Sequence, residues 1–310
     1  MKQSFRVAAL GLLLSVPPPI AAQQLSSFRL ITAPGESLHV VRAGSGQPVV
    51  LLPGLFGCAF GFRHLLAVLP SLGNRVSVIE PLAIGSSSRP EHANYSLTAQ
   101  ADRIAVALHR LEGQPVVLVA HSVSASIALR LAIRHPDLVR AVVLLDGGPM
   151  ETVATKGFRQ AMRYAPWVKW MGGMKRLRPH IRKDLIASSA DSTWLTERVL
   201  QAYTAGAAAD LDGTLKAYLR MARAREPEKL APRLQELSVP VRLVVGGAPH
   251  RGGISAEQIE LLAARVPRFT LDSAPNAGHY LFEEAPEAVV AAIGRVQGAS
   301  LAVQPTVSRP

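Results

Sequence analysis

The stretch Val116–Ala132, VVLVAHSVSASIALRLA, constrains the fold more than any other part of the chain. Its first five residues are apolar and rich in valine, without the polar alternation of a half-exposed strand. They predict a strand buried on both faces, which needs a mostly parallel sheet with helices above and below it. Ser126–Ala132 has helical spacing and good helix formers. Little chain separates the two, so it must turn sharply at Ala120-His121-Ser122-Val123-Ser124. Ala120 and Ser124, flanking Ser122 at two residues' distance, are small enough to let strand and helix approach; a G-x-S-x-G turn has glycine at both places. A serine so placed is either a nucleophile facing the N–H groups of a helix N-terminus or simply that helix's N-cap.

A chain of 310 residues can bury a large core, and 48% hydrophobic against 18% charged residues marks a globular protein. The N-terminus reads differently. Lys2 and Arg6 precede an apolar run, Val7–Val16, and the segment Pro17–Ala22 ends in small residues. That layout predicts a secretory signal peptide over residues 1–22, cleaved after Ala22, and a periplasmic or secreted mature chain. The run is too short to span a bilayer, and an uncleaved N-terminal anchor is the competing reading. Cys58 is the single cysteine, so no disulfide can close within the chain. Formal charge is +12, or +10 once Lys2 and Arg6 are lost. No zinc-finger or RNP-type pattern accompanies that charge and aromatic content is 5%, so no nucleic-acid partner is expected. Without H-E-x-x-H, a Cys/His cluster or a dinucleotide fingerprint, no metal and no organic cofactor is expected.

Phe28–Thr32 and Ser37–Arg42 predict two strands joined at Pro34-Gly35. VVLLPGLFG (Val49–Gly57) is a buried strand running into a Pro/Gly loop, and Ala59–Leu69 predicts an amphipathic helix. Arg75–Ile79 is the next strand, followed by the loop Glu80–Pro90; a helix then runs to about Leu111 with Ser96 or Thr98 as its cap. His135-Pro136 ends the helix after Ser122, and Val139–Leu145 predicts a strand ending at Asp146-Gly147-Gly148-Pro149. From Met150 to about Leu237 the pattern is helical, with breaks at Pro166, Gly172-Gly173, Pro179, Gly206, Gly213 and Pro227. Alternation resumes with a strand at Val239–Val245, a helix at Ala256–Arg265 and a strand at Arg268–Leu271. A loop holding Asn276-Ala277-Gly278-His279 leads to a last helix, Pro286–Val296.

These features resemble the α/β-hydrolase fold, in the branch with a helical cap inserted after the sixth strand. The resemblance rests on Pro53-Gly54, Glu80–Pro90, the turn at Ser122, the place of the helical insert and the late Gly278-His279, in that order. It covers nearly the whole chain after residue 22. It implies an eight-stranded, mostly parallel sheet with helices on both faces. The chain then divides into a signal peptide (1–22), a core (23–149), a cap (150–237), the rest of the core (238–297) and a flexible tail (298–310).

A serine hydroxyl is a poor nucleophile at neutral pH and needs a base within reach and a third group to orient that base. The family's order of serine, acid and histidine assigns Ser122 as nucleophile and His279 as base; the bland alternative for His279 is a cap on the last helix. The loop after the seventh strand, where the acid more usually stands, reads Gly246–Gly253 and holds no carboxylate. Asp146 is the substitute, because the carboxyl ends of parallel strands face one crevice and certain dehalogenases and lipases of the fold place their acid there. An ordinary turn residue before Gly147-Gly148 is the competing reading. Glu257 and Asp272 are outside candidates. The resemblance places the oxyanion hole at the backbone N–H groups of Leu55 and Val123. His121 should pack beside the turn without exchanging a proton, and Cys58 should be a small buried residue.

The activity so implied is hydrolysis of an ester or related acyl bond in a small-molecule substrate, through an acyl-enzyme on Ser122. C–C bond hydrolysis, lactone opening, perhydrolysis and acyl transfer fit the same three residues, and a catalytically silent ligand-binding protein is the alternative of another kind. Epoxide hydrolases and dehalogenases of the fold use an aspartate nucleophile, against which Ser122 argues. Between Lys156 and Lys183 there are nine Lys/Arg and no Asp/Glu, interleaved with Phe158, Trp167 and Trp170. A solvated face over an apolar interior is favoured there over a basic surface facing an anionic substrate or a membrane. The sequence sets no oligomeric state.

Overall fold

The computed structural model describes residues 25–153 and 173–298, so the expected signal peptide, the tail beyond Gly298 and the stretch with Phe158, Pro166, Trp167 and Trp170 lie outside the described residues. Eight strands form one sheet in the order β1-β2-β4-β3-β5-β6-β7-β8. β1 (Ser26–Ala33) and β2 (Glu36–Ala43) are the antiparallel hairpin expected at Pro34-Gly35, and β2 runs antiparallel to β4 (Asn74–Ile79). All other pairings are parallel, among β4, β3 (Gln47–Leu52), β5 (Val116–His121), β6 (Val139–Leu145), β7 (Val241–Gly246) and β8 (Phe269–Ala274).

The valine-rich runs behave as their composition requires. Successive side chains of a strand point to opposite faces, and both faces are covered. Val50, Leu52, Leu118 and Ala120 join a layer with α2 (Leu97–Leu111), α3 (Ser124–Arg134) and α7 (Ala256–Arg265). Val49, Leu51, Val117 and Val119 join the opposite layer with α1 (Arg63–Val68) and α9 (Pro286–Gln297). Every residue of β5 is buried as a result. Ser96 caps α2, its hydroxyl accepting from Ala99 N. The single helix expected over Ala59–Leu69 is instead a 3₁₀ turn (Ala59–Phe62), α1, and a second 3₁₀ turn (Leu69–Leu72).

Between β6 and β7 the described residues hold α4 (Gly173–Ala187), α5 (Glu197–Ala209) and α6 (Leu211–Arg223). Three expected breaks fall inside these helices. Pro179 removes at most one ladder hydrogen bond, and α4 continues through it because Ile181 and Leu185 pack on α5 with Cys58, Leu200 and Tyr203. Gly206 is a place of close approach, not a stop: a Cβ there would lie 2.1 Å from the Gly85 carbonyl oxygen. Gly213 lies in the first turn of α6 under its cap, donating its N–H to the Asp210 carboxylate at 2.9 Å. No described helix is long and apolar enough to cross a membrane.

Among the described residues, four that are not glycine have positive φ: Phe56 (65°), Ala83 (66°), Ser122 (55°) and Asp146 (45°). They follow β3, β4, β5 and β6, so the backbone strain gathers at the carboxyl-terminal rim of the sheet, where functional sites commonly hold it. A left-handed conformation costs an L-residue about 1–2 kcal/mol, which glycine avoids. Ser122→Gly should therefore unfold at a free energy about 1 kcal/mol above that of Ser122→Ala in denaturant titrations, since only glycine relieves the turn.

Candidate active site

The parallel run β5-β6-β7-β8 brings four chain segments to one rim. Ser122 directly follows β5, Asp146 directly follows β6, and the loops after β7 and β8 carry His250 and His279. The turn at Ser122 is held from several sides. Its N–H donates to the Leu145 carbonyl at 3.0 Å. A Cβ on Gly147 would lie 2.2 Å from the Ser122 carbonyl oxygen, and one on Gly54 would lie 2.9 Å from the Ser122 Cβ, so glycine is required at both. Ser124, where the usual motif has glycine, uses its hydroxyl to donate to the Pro53 carbonyl at 2.6 Å, tying the start of α3 to the loop after β3. Ser126 likewise fastens α3 to the loop after β6, donating to the Gly148 carbonyl at 3.1 Å and accepting from Met150 N.

The expected base and acid meet directly. His279 Nδ1 lies 2.6 Å from Asp146 Oδ2, and both side chains are buried. Burial pushes the Asp146 carboxyl up, but the hydrogen bonds and charges of His279 and then His250 outweigh it and hold the carboxyl below its ordinary value. The loop carrying His279 is fixed in turn. His279 N donates to the Ser188 carbonyl at 2.8 Å. The Glu284 carboxylate, on α8 (Leu281–Glu284), gathers the N–H groups of Gly278, Tyr280, Ala190 and Asp191 at 3.0, 3.3, 2.7 and 3.1 Å.

His121, the residue before Ser122, has its ring centroid 4.5 Å from that of His279 and its Nε2 3.0 Å from the His279 carbonyl oxygen. Burial lowers its proton affinity well below that of a free imidazole, so it packs as a neutral ring that donates to the carbonyl. Ser122 thus stands at the same rim as His279, one residue from a ring in contact with it. Leu55 and Val123 both line a small cleft with Ser124 and Tyr95. Neither amide has a hydrogen bond to a protein acceptor among the described residues.

The two outside candidates are elsewhere: Glu257 is exposed in the first turn of α7, and Asp272 on β8 pairs with Arg242 at 2.8 Å. Cys58 is buried, and burial followed by the Glu80 charge pushes its thiol up to about 12, as an inert packing residue requires. Sequence reasoning missed His250. Its Nε2 lies 2.8 Å from the same Asp146 oxygen that His279 uses. The signal for it is the one histidine in the loop after β7, a loop that holds no carboxylate. Nearby, α4, α5 and α6 and the loop after β3 enclose a cavity of about 650 Å³, lined by Phe56, Leu177, Ile181, Leu215 and Tyr218 with Arg89 at its edge.

Asp146, His250 and His279 have ligating atoms within 4.8 Å of one another, a spacing that could accommodate a cation. As placed, one nitrogen of each imidazole faces the same carboxylate oxygen, Asp146 Oδ2.

Comparison with known proteins agrees with the fold. Residues 49–292 match the profile of the family described as "Alpha/beta hydrolase family". A 2-hydroxymuconate semialdehyde hydrolase of Pseudomonas sp. (strain CF600) is 32% identical over 140 residues, 44% of this chain and 50% of that protein. An sn-1-specific diacylglycerol lipase of Xenopus tropicalis is 32% identical over 114 residues, 36% of this chain and 35% of its own. The chain thus spans half or less of the length of these curated relatives. The solved structure of the epoxide hydrolase CorEH without ligand superimposes with a TM-score of 0.73 at 18% identity, covering 89% of this chain and 99% of that one. With the profile spanning most of the chain, this chain belongs to the alpha/beta hydrolase family.

Proposed function

We propose that this chain is an exported serine hydrolase that cleaves an ester or related acyl bond through Ser122, His279 and Asp146. The observation that carries the reading is the 2.6 Å hydrogen bond from His279 Nδ1 to a buried carboxylate held in its charged form. A histidine bound this way presents Nε2 to a substrate or nucleophile and gains stability when it takes a second proton. In the proposed cycle the Ser122 hydroxyl attacks the acyl carbon while Nε2 takes its proton. The oxygen that becomes negative is received by the N–H groups of Leu55 and Val123. His279 then returns the proton to the leaving alcohol, leaving an acyl-serine. Water, deprotonated by the same nitrogen, attacks that ester and releases the acid. The apolar cavity beside Phe56 and Tyr218 suits an apolar acyl or alcohol group.

A second reading, hydrolysis of a C–C bond adjacent to a carbonyl by the same residues, is favoured by the similarity to the semialdehyde hydrolase. A panel of p-nitrophenyl esters of varied acyl length and a vinylogous diketone separate the two by which class turns over. A fluorophosphonate should label the wild-type protein and fail to label folded Ser122→Ala; labelling that survives in Ser122→Ala would contradict both readings. Asp146→Asn should lower kcat about 10³–10⁴-fold at neutral pH with a small change in KM, because the base loses its orienting charge. Export rests on Lys2, Arg6 and the apolar Val7–Val16. Terminal sequencing of the protein recovered from outside the cytoplasm should begin at Gln23.

A further inference from the structure

His250, in the loop after β7, is bound to the carboxylate at the end of β6. Its two ring nitrogens each face an oxygen that can only accept. Nδ1 lies 2.7 Å from the Ala248 carbonyl oxygen, and Nε2 lies 2.8 Å from Asp146 Oδ2. A neutral imidazole has one N–H and can satisfy one of these; making both takes the doubly protonated ring. The Asp146 carboxylate is ionised, so it cannot supply the missing proton itself. The site is built to hold this ring. Ala248 N donates to the Ala277 carbonyl and Arg251 N to the Ala187 carbonyl, both at 3.1 Å, which anchors the loop at each end. A Cβ on Gly253 would lie 2.6 Å from His250 Nε2 and 3.2 Å from the Asp146 carboxylate, so glycine is needed for the loop to pass.

Two histidines therefore share one carboxylate oxygen, their rings stacked with centroids 6.1 Å apart. We propose that His250 is a positioning residue: an imidazolium that shares the Asp146 oxygen with His279, holds the carboxylate in place and sets a second positive charge beside the base. The inference rests on the proposed roles of Ser122, His279 and Asp146. It assigns His250 a consequence that packing alone does not have, since a base with a cation beside it stays neutral, and so active, to lower pH. The other groups around the pair are Glu284 on α8, whose charge favours the His250 cation, the neutral His121 at the end of β5, and Tyr280 next in the chain. Burial alone would drive the His250 proton off; the Ala248 carbonyl, Asp146 and Glu284 together outweigh it and raise the ring above its ordinary value.

The test is the rate of Ser122 labelling by a fluorescent alkyl fluorophosphonate from about pH 5 to about 9, a range in which histidines titrate. His250→Gln keeps a donor to Asp146 but no charge, and should move the acid limb of the rate profile up by about one pH unit. His250→Lys restores a charge and should bring the limb back towards the wild type. A His250→Gln limb that superimposes on the wild type or moves down overturns the proposal. So does a folded His250→Gln that labels at no pH, because the residue would then be needed to assemble the site, not to tune it. Should the glutamine variant not fold, ¹⁵N-histidine spectra of the unmutated protein decide. One ring in contact with His279 should keep both N–H protons to a higher pH than a free imidazole does, and a spectrum without such a ring overturns the proposal. Ser122→Ala is the control that separates the two levels. If it still labels, the serine reading fails and takes this inference with it; if it does not and the His250→Gln limb is unmoved, the inference alone fails.

Discussion

The structure depends on one sharp turn. β5 runs through the centre of the sheet with every residue buried, and the chain must leave it at once to start α3 on one face. That is achieved by placing Ser122 at φ 55°, a conformation that would relax if its neighbours allowed it. They do not. The Ser122 N–H is committed to the Leu145 carbonyl, Gly147 passes against its carbonyl, Gly54 against its Cβ, and Ser124 is tied to Pro53. The contacts that keep the turn strained are thus the contacts that bring the ends of β3, β5 and β6 together. The same contacts bring Gly54, and with it the start of the loop that carries Leu55, against Ser122.

The second organising element is a buried carboxylate. Asp146 is 2% exposed and would be costly in isolation, but it receives hydrogen bonds from two histidines that come from different loops. Each loop is pinned by its own backbone contacts, through Glu284 for the His279 loop and through Ala187 and Ala277 for the His250 loop. A low-dielectric site with fixed donors gives a proton acceptor its direction without reorganisation during the reaction. The α4 segment takes part in this, since Ser188 receives the His279 N–H and Ala187 the Arg251 N–H, so the helical insert supports the same rim that it lies beside.

Much of this was legible in the sequence because it is local. A strand buried on both faces writes a run of valines, and a hairpin writes Pro34-Gly35 between two alternating segments. The alternation of strands and helices carried the sheet, and Asp146 and His279 stand after strands whose ends the parallel sheet brings to one rim. What stayed hidden depends on partners far away in sequence. Gly206 and Gly213 looked like helix breaks, yet one is small to admit the Gly85 carbonyl and the other to fit beneath Asp210. Nothing near Pro179 announced that packing on α5 would carry α4 through it. The contact His250 makes was hidden for a similar reason: it exists only once the loop after β7 has folded against the end of β6.

The most direct test of the central claim, that this turn presents Ser122 to His279 and to two free amides, is the structure of the protein after reaction with a simple alkyl fluorophosphonate. The account predicts phosphorus bonded to Ser122 Oγ, the phosphonyl oxygen within hydrogen-bonding distance of the Leu55 and Val123 nitrogens, and His279 Nε2 facing the serine oxygen. An adduct on any other residue, or a phosphonyl oxygen turned away from both amides, would contradict it.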